Sequence, residues 1–267
     1  MNNKYNRADS VNALSAFEIK KHLNKVYEDI LISIYDTIDS TNNEAKRHFH
    51  EGLKYALYIS EAQTAGRGRL GRSFYSPENT GIYMSLVYKV DMTAIENPML
   101  ITLKASMAVS EAIEELTGLS LGVKWVNDIY LGNRKICGIL AEGIPNAQTG
   151  IPDYVVVGIG INVNTKEFPD DIKNKAGSIE VFCDRNRIIA KVINKLLPLY
   201  ENMSDTYFMD EYRKKSIVIG KNVEFEQDKQ IMHGIATGIA DNGALIVKTK
   251  EDMEYSISSG IVEMRFD

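Results

Sequence analysis

Hydrophobic and polar positions along the chain separate predicted strands from predicted helices. Runs rich in β-branched and aromatic residues predict strands at 30–38, 55–63, 81–90, 122–131, 135–144 and 153–164. Four other segments have helical character, namely 15–24, 42–51, 98–118 and 185–215. Together these elements predict an α+β fold in which helices pack on a mixed β-sheet.

Residues typical of helix ends and turns set limits on these elements. Thr41 and Glu44 match a capping box, so a helix is expected to begin there and to stop at Gly52. The pair Gly132-Asn133 predicts a hairpin between two strands. Pro198 predicts a break in the last helical segment, because proline cannot donate the helical hydrogen bond.

The character of the chain changes after Ile219. From Gly220 onwards, short strand-like pieces alternate with turn residues, which predicts a small β-barrel or sandwich. We therefore divide the chain into a flexible polar tail (1–14), an α+β domain (15–217) and a C-terminal β domain (218–267).

Composition is that of a folded, water-soluble protein. Of the 267 residues, 44% are hydrophobic and 25% are charged. With 31 basic and 36 acidic side chains the net charge is −5, which argues against general nucleic-acid coating.

No apolar stretch approaches the roughly 20 residues that cross a bilayer, and the N-terminus lacks the apolar core of a secretory signal. Two cysteines, Cys137 and Cys183, are too few for a disulfide scaffold or a four-cysteine zinc site, so we expect a cytoplasmic protein.

The most unusual segment is QTAGRGRLGRS at 63–73. Its residues 66–72 contain three glycines and three arginines, and the segment lies between two predicted strands. Glycine lets a backbone approach a ligand closely. Arginine supplies a planar, permanent positive charge that suits carboxylate and phosphate. The sequence therefore predicts a site for a small anionic ligand in this segment.

Three other interpretations of this segment stay open at this point. Gly66, Gly68 and Gly71 have the spacing of the dinucleotide-binding fingerprint, but that motif has to open a helix. The segment is also one residue away from a P-loop, with Arg72 where lysine is required, and again no helix is predicted to follow. The third interpretation is an exposed basic loop without a ligand.

Three further segments carry candidate site residues. Asn127 and Asp128 follow Lys124 around the only tryptophan, and their oxygens suit Mg²⁺, although the segment also reads as a strand with an Asx turn. Lys135 begins an apolar strand, where it either offsets negative charge at a pocket rim or is solvated at a hairpin turn. The paired glycines of 158–162 either let a ligand approach the strand closely or mark an edge irregularity.

Taken together and in this order, six motifs resemble those of the biotin protein ligases, also called biotin–[acetyl-CoA-carboxylase] ligases. The matching segments are DSTN at 39–42, QTAGRGRLGR at 63–72, GIYMS at 81–85, KWVND at 124–128, KICGILAE at 135–142 and GIGIN at 158–162. The resemblance runs from about residue 15 to the end and includes a C-terminal piece similar to the SH3-like β-barrel of the family. One departure is Val126, where the family commonly has proline.

The resemblance implies a two-step reaction with biotin and ATP as substrates and Mg²⁺ as cofactor. Biotin and ATP first give biotinyl-5′-AMP and pyrophosphate. Biotin then passes to one lysine of a biotin carboxyl carrier protein.

The resemblance also implies a role for each site residue. The residues implied to bind biotin are Ser40, Thr41, Asn42, Gln63, Gly66, Arg67, Gly68, Arg69 and Lys135. The residues implied on the ATP and metal side are Arg72, Lys124, Asn127, Asp128 and Asn162. Asn127 and Asp128 are the implied Mg²⁺ ligands, and the implied catalytic residues are Arg69, Arg72 and Lys135.

Three rival functions are kept beside this one. Some relatives are also DNA-binding repressors, but only about 30 residues precede the first predicted strand, fewer than the roughly 55–60 of a winged helix. We therefore expect no DNA binding, and no membrane association either. A lipoate ligase has a similar fold but a different glycine-rich loop, and a binding-only relative would hold biotin without turning it over. Homodimerisation is compatible with the resemblance.

Overall fold

Helices and strands are interleaved as far as residue 215, and strands alone follow in the described residues. The computed structural model describes residues 13–49, 52–90, 97–227, 230–260 and 262–264. In these ranges the α-helices are α1 (Ala16–Lys21), α2 (Thr41–His48), α3 (Met99–Thr117), α4 (Arg185–Glu201) and α5 (Met209–Lys215). The strands of the same ranges are β1 (Leu31–Ile38), β2 (Tyr55–Gln63), β3 (Gly81–Lys89), β4 (Gly122–Lys124), β5 (Asp128–Leu131), β6 (Arg134–Pro145), β7 (Pro152–Asn162), β8 (Asn222–Gln227), β9 (Gln230–Ile239), β10 (Leu245–Lys248), β11 (Glu254–Ile257) and β12 (Val262–Met264).

Seven strands form one mixed sheet in the spatial order β1-β2-β3-β7-β6-β5-β4. β1 and β2 are parallel, and the other neighbours are antiparallel, including the predicted hairpin of β5 and β6. Alternate residues of a strand point to opposite faces, and the two faces of this sheet have different coverings. Leu57 packs with α3 and α4 in the main core, whereas its neighbours Ala56 and Tyr58 pack with Ala45 of α2. The predicted α+β class is confirmed.

The predicted capping box at the start of α2 is wrong. α2 begins at Thr41, and the preceding residue is the N-cap without a side-chain capping bond. Thr41 Oγ1 instead lies 3.2 Å from Gln63 Oε1 at the end of β2. The Glu44 carboxylate forms an ion pair with Arg47 at 2.6 Å. Contacts with other parts of the fold therefore replace the local capping pair.

The segment 122–131 is two strands and not the single strand that was predicted. β4 and β5 are joined by a turn at 125–127. Trp125 leaves the sheet at this turn, and its indole Nε1–H donates to Gly243 O at 2.8 Å. A buried tryptophan needs such a partner for its N–H group, which explains the interruption.

Pro198 does not break the last helical segment. α4 runs through Pro198, and the interruption comes later, at 202–208. Leu196 and Leu197 are fully buried just before the proline, and Tyr200 is 1% exposed just after it. Packing on both sides thus keeps the helix continuous despite the missing hydrogen bond.

The C-terminal strands form a second, antiparallel sheet in the order β11-β10-β9-β8-β12. Gly243, in the turn that leads into β10, has φ 81°, a left-handed conformation that suits glycine. The predicted SH3-like β-barrel needs a correction, because no ladder in the described residues joins β11 to β12. These end strands have 4 and 3 residues in the described part of the chain, where the sheet is open and no closed barrel is found.

The two sheets share a hydrophobic core. Leu103 of α3 and Trp125 pack in one buried cluster with Phe225 and Leu245 of the C-terminal sheet. A β-carbon on Gly243 would lie 2.4 Å from Leu103 Cδ1, so this glycine lets the turn press against α3. The C-terminal sheet is thereby fixed beside the β4–β5 turn.

Two features expected from the sequence lie outside the described residues. These are most of the flexible tail, residues 1–12, and residues 50 and 51 of the predicted second helix. The predicted end of that helix is wrong, because α2 already ends at His48, with Phe49 as its C-cap. At the far end of the tail, Leu14 N donates to Glu61 Oε1 at 3.0 Å. No helix in the described ranges is long and apolar enough to span a membrane.

Candidate functional site

A patch of bare backbone lies on the α2 side of the seven-stranded sheet. Gly138 of β6 pairs with Gly160 of β7, and Gly158 lies two residues along on the same face. A β-carbon at Gly160 would lie 2.5 Å from the Phe74 ring, and one at Gly158 would lie 2.1 Å from Asn42 Oδ1. The glycines therefore let two side chains from other segments lie directly on the sheet.

The beginning of α2 brings a group of polar side chains to the edge of this patch. Thr41 donates to Gln63 Oε1 twice, from its main-chain N at 2.8 Å and from its hydroxyl at 3.2 Å. The Ser85 hydroxyl lies 2.7 Å from Thr41 Oγ1 and 2.6 Å from Asn42 Oδ1, so its single hydrogen is shared between these two acceptors. Asn42 Nδ2 donates to Glu142 Oε2 at 2.8 Å and to a carbonyl of β6 at 3.5 Å.

The atoms of this group that remain free to bond a ligand are mainly hydrogen-bond acceptors. The Thr41 hydroxyl hydrogen and both Nδ2 hydrogens of Asn42 are engaged, which leaves one lone pair on Thr41 Oγ1 and one on Asn42 Oδ1. Gln63 Nε2 gives one hydrogen to Ser76 Oγ at 2.8 Å and keeps another. Ser40 Oγ makes no capping bond. This end of the site can thus accept from ligand N–H groups and donate to a ligand carbonyl.

The segment rich in arginine and glycine folds into a narrow hairpin over the patch. Gly68 N donates to Arg72 O at 2.7 Å, and Phe74 N donates to Gly66 O at 2.8 Å. Leu70 at the tip has φ 54° and ψ 40°, a left-handed conformation that is uncommon outside glycine. The next regular element is β3, so the segment opens no helix. Neither the dinucleotide fingerprint nor the P-loop interpretation fits this geometry.

Two arginines of the hairpin are held in place by polar groups of the cleft. Arg67 Nη2 lies 3.2 Å from Glu142 Oε1. Arg69 Nη1 donates to Asn127 Oδ1 at 3.0 Å, and its Nη2 donates to Gly260 O at 2.9 Å. Burial lowers the pKa of Arg69 from its ordinary value. The hairpin therefore contacts both the large sheet and the C-terminal domain.

Three further cations surround the same space. Lys135 Nζ lies 2.6 Å from Asp128 Oδ1. Burial lowers the pKa of Lys124, against the opposing charge of Asp128, and Lys124 has no ion pair with the described residues. Arg72 is exposed at the mouth, with Nη2 3.6 Å from Glu263 Oε1. Positive charge is thus concentrated here in a chain of net charge −5, as an anionic ligand requires.

One cleft collects these groups and encloses about 940 Å³ that protein atoms do not fill, including the solvent at its mouth. The sequence-predicted residues that line it are Ser40, Thr41, Asn42, Gln63, Arg67, Gly68, Arg69, Arg72, Lys124, Asn127, Asp128 and Lys135. Gly66 and Asn162 do not line it. A β-carbon on Gly66 would lie 2.4 Å from Phe74 O, so its role is to let the hairpin close. Asn162 is 5% exposed, and its Nδ2 donates to Gly177 O at 3.0 Å.

Sequence reasoning did not single out several lining residues. Leu70 and Phe74 come from the hairpin itself, and Gly260 and Val262 come from the C-terminal domain. Glu142, which contacts Asn42 and Arg67 but does not itself line the cleft, stood only within a matching motif, with no role assigned. The paired glycines on β6 and β7 were the one available signal, because a bare strand face has to be covered by something.

The predicted Mg²⁺ ligands are occupied by cations in this structure. Asn127 Oδ1 accepts from Arg69, and Asp128 Oδ1 lies against Lys135. Over the described ranges, no three His, Cys, Asp or Glu side chains form a group that could hold a metal. In this arrangement the pair does not fit a resident Mg²⁺ ion, because two positive charges stand where the ion would bind.

Two family models match the chain in separate regions. The model of the biotin/lipoate A/B protein ligase family matches residues 34–162, and that of the biotin protein ligase C-terminal domain matches residues 218–265. The bifunctional ligase/repressor BirA of Bacillus subtilis is 33% identical over 246 residues, covering 88% of this chain and 73% of that protein. A biotin–[acetyl-CoA-carboxylase] ligase of Mycobacterium tuberculosis is 32% identical over 200 residues, which are 71% of each chain.

Solved structures of biotin protein ligases are also similar to this chain. A biotin protein ligase from Aquifex aeolicus in complex with biotin and ATP has a TM-score of 0.75 and 29% identity, covering 89% of this chain and 99% of that one. The chain therefore belongs to the biotin protein ligase family, and the resemblance seen in its motifs is confirmed.

Proposed function

We propose that this protein attaches biotin to a carrier protein at the expense of ATP. In the first step a carboxylate oxygen of biotin attacks the α-phosphorus of ATP. The bond from that phosphorus to the bridging oxygen of the β-phosphate breaks, and pyrophosphate leaves. In the second step the ε-amino nitrogen of an acceptor lysine attacks the acyl carbon of biotinyl-5′-AMP. AMP leaves with the electron pair of the C–O bond, and the amine loses a proton.

The observation that carries the proposal is the polarity of the cleft in a chain of this family. The ureido ring of biotin has two N–H donors and one carbonyl oxygen. The free lone pairs of Thr41 and Asn42 suit the donors, and the free hydrogen of Gln63 suits the carbonyl. Ser40 lies beside them and can serve either group. The cations on the other side of the cleft suit a carboxylate and phosphates.

The cations offset the charge that gathers when a carboxylate attacks a phosphate. Lys135 would hold the biotin carboxylate and then the adenylate, exchanging Asp128 for the ligand as its partner. Arg69 and Arg72 would meet the phosphates from the hairpin. Lys124, which forms no ion pair within the described part of the chain, would add a further positive charge to the cleft. Gly68 lets the hairpin lie close to the ligand and exclude water from the anhydride.

Mg²⁺ belongs to this proposal as the ion that accompanies ATP. Asn127 and Asp128 are both engaged by cations, so the phosphates themselves would supply its oxygen ligands on arrival. Asn162 lies outside the cleft lining, and its place on the nucleotide side stays a prediction.

The acceptor we propose is a biotin carboxyl carrier protein, because relatives of this chain are biotin–[acetyl-CoA-carboxylase] ligases by name. β1 ends the large sheet on one side, and an edge strand offers main-chain groups to a carrier or to a second copy of this chain. A homodimer and the absence of DNA binding stay predictions. Analytical ultracentrifugation tests the first, and a gel shift at low salt tests the second.

The test of the proposal is ATP–pyrophosphate exchange by the purified protein with Mg²⁺ and one added acid. Biotin, lipoate, octanoate and no acid are compared. Exchange that requires biotin supports the proposal. Exchange with lipoate or octanoate assigns the protein to the lipoate branch of the matched family, and folded protein that exchanges with no acid is a binding-only relative.

A further inference from the structure

Glu142 on β6 is held by three side chains from two other segments. Its Oε2 accepts from Asn42 Nδ2 at 2.8 Å. Its Oε1 lies 2.7 Å from Lys46 Nζ and 3.2 Å from Arg67 Nη2. Burial alone would raise the pKa of Glu142, but the hydrogen bonds from Asn42 and Lys46 and the charge of Lys46 and Arg67 outweigh it and lower the pKa. The carboxyl group is therefore ionised and accepts hydrogen bonds only.

An ionised Glu142 fixes which way the Asn42 amide points. Only the Nδ2 end can face a carboxylate, because two acceptors without a hydrogen between them repel. The Oδ1 end is then directed to the Ser85 hydroxyl at 2.6 Å, above Gly158. The flipped amide would place Oδ1 against the Glu142 carboxylate and lose that hydrogen bond, and it would turn Nδ2 toward the Ser85 oxygen.

We propose that Glu142 is a positioning residue that gives the biotin end of the cleft its acceptor character and thereby selects a ligand with N–H donors. The proposal rests on the proposed function, since biotin supplies those donors. With the amide fixed, both Nδ2 hydrogens of Asn42 are used inside the protein, and what Asn42 offers a ligand is a lone pair. A neutral residue at 142 permits the flipped amide, which offers a donor where biotin also presents a donor.

The experiment measures biotin-dependent ATP–pyrophosphate exchange in the full chain carrying Glu142→Gln. The KM for biotin should rise about tenfold, as expected for the loss of one hydrogen bond to a charged group. The kcat should stay within about twofold, because uniform binding is lost and not transition-state binding. The matched control is Glu44→Gln on α2, a buried carboxylate, 8% exposed, that pairs with Arg47 outside the cleft. Its KM for biotin should not change.

A second variant separates polarity from simple loss of structure. In the double variant Asn42→Asp with Glu142→Gln, the carboxylate at 42 can only accept, and the amide at 142 donates to it. This exchange keeps the total charge and should recover most of the lost affinity for biotin. A folded Glu142→Gln protein with an unchanged KM would overturn the proposal, and so would a double variant that is no better than the single one. Wild-type protein without biotin-dependent exchange would instead refute the proposed function.

Discussion

A single methyl group at Gly158 tests whether the bare strand face is needed for the site. The added β-carbon would lie 2.1 Å from Asn42 Oδ1 and 2.9 Å from its Cγ, where ordinary contacts begin at 3.4 Å. The amide must therefore move by roughly 1 Å, which breaks its bonds to Ser85 and Glu142. Overpacking and two lost hydrogen bonds should together cost about 3 kcal/mol of unfolding free energy in Gly158→Ala.

The assay pairs thermal unfolding with calorimetric titration of biotin. We expect Gly158→Ala to unfold several degrees lower and to bind biotin at least tenfold more weakly, since tenfold corresponds to about 1.4 kcal/mol. Gly238→Ala on β9 is the matched control, because its β-carbon would meet nothing within 4 Å. It should keep both properties. If Gly158→Ala binds biotin as tightly as the wild type, then Asn42 does not contact the ligand and the assignment of this end of the cleft is wrong.

Three further predictions concern lysines and the hairpin. Lys135→Ala should slow pyrophosphate exchange at least about 100-fold; near-normal exchange in folded protein would remove its role. Arg69→Gly removes the bonds to Asn127 and Gly260, so it should release activated biotin, detected as biotin on bystander lysines; labelling confined to the carrier would count against that role. Burial lowers the pKa of Lys104 to about 8, whereas an unfolded lysine titrates near about 10.4. Between these values the unfolded chain binds the extra proton, so Lys104 itself contributes an increase of the unfolding free energy with pH from about 8 to about 10. Urea unfolding across this range should therefore give the wild type a more positive dependence on pH than Lys104→Met, and equal slopes would refute this contribution.

Much of the site was predictable because its chemistry lies in short segments. The hairpin carries a concentration of glycines and arginines that is unusual for a loop, and Lys135 follows a turn signal at the start of a strand. These residues line one cleft although they come from the hairpin, from β6 and from the start of α2. Local pattern and fold class were enough to bring them together.

The contributions that escaped prediction depend on contacts between distant parts of the chain. Phe74 lies on Gly160, and Gly260 meets Arg69 across 191 positions of sequence. No periodicity in a single strand or helix records such a pairing. The same reason explains the wrong capping box, because the Thr41 hydroxyl at the start of α2 donates to Gln63 at the end of β2. It also explains why α4 continues through Pro198, because buried residues pack before and after the proline.

The hydrophobic core shared by the two sheets makes this protein less modular than its two family matches suggest. Leu103 and Trp125 from the large domain lie in the same buried cluster as Phe225 and Leu245 from the small one. A chimera that takes its C-terminal domain from a relative would therefore have to import the matching surface of α3 and the β4–β5 turn. Sequence drift in one half is tolerated only when the other half changes with it, so the two halves have to evolve as a single unit.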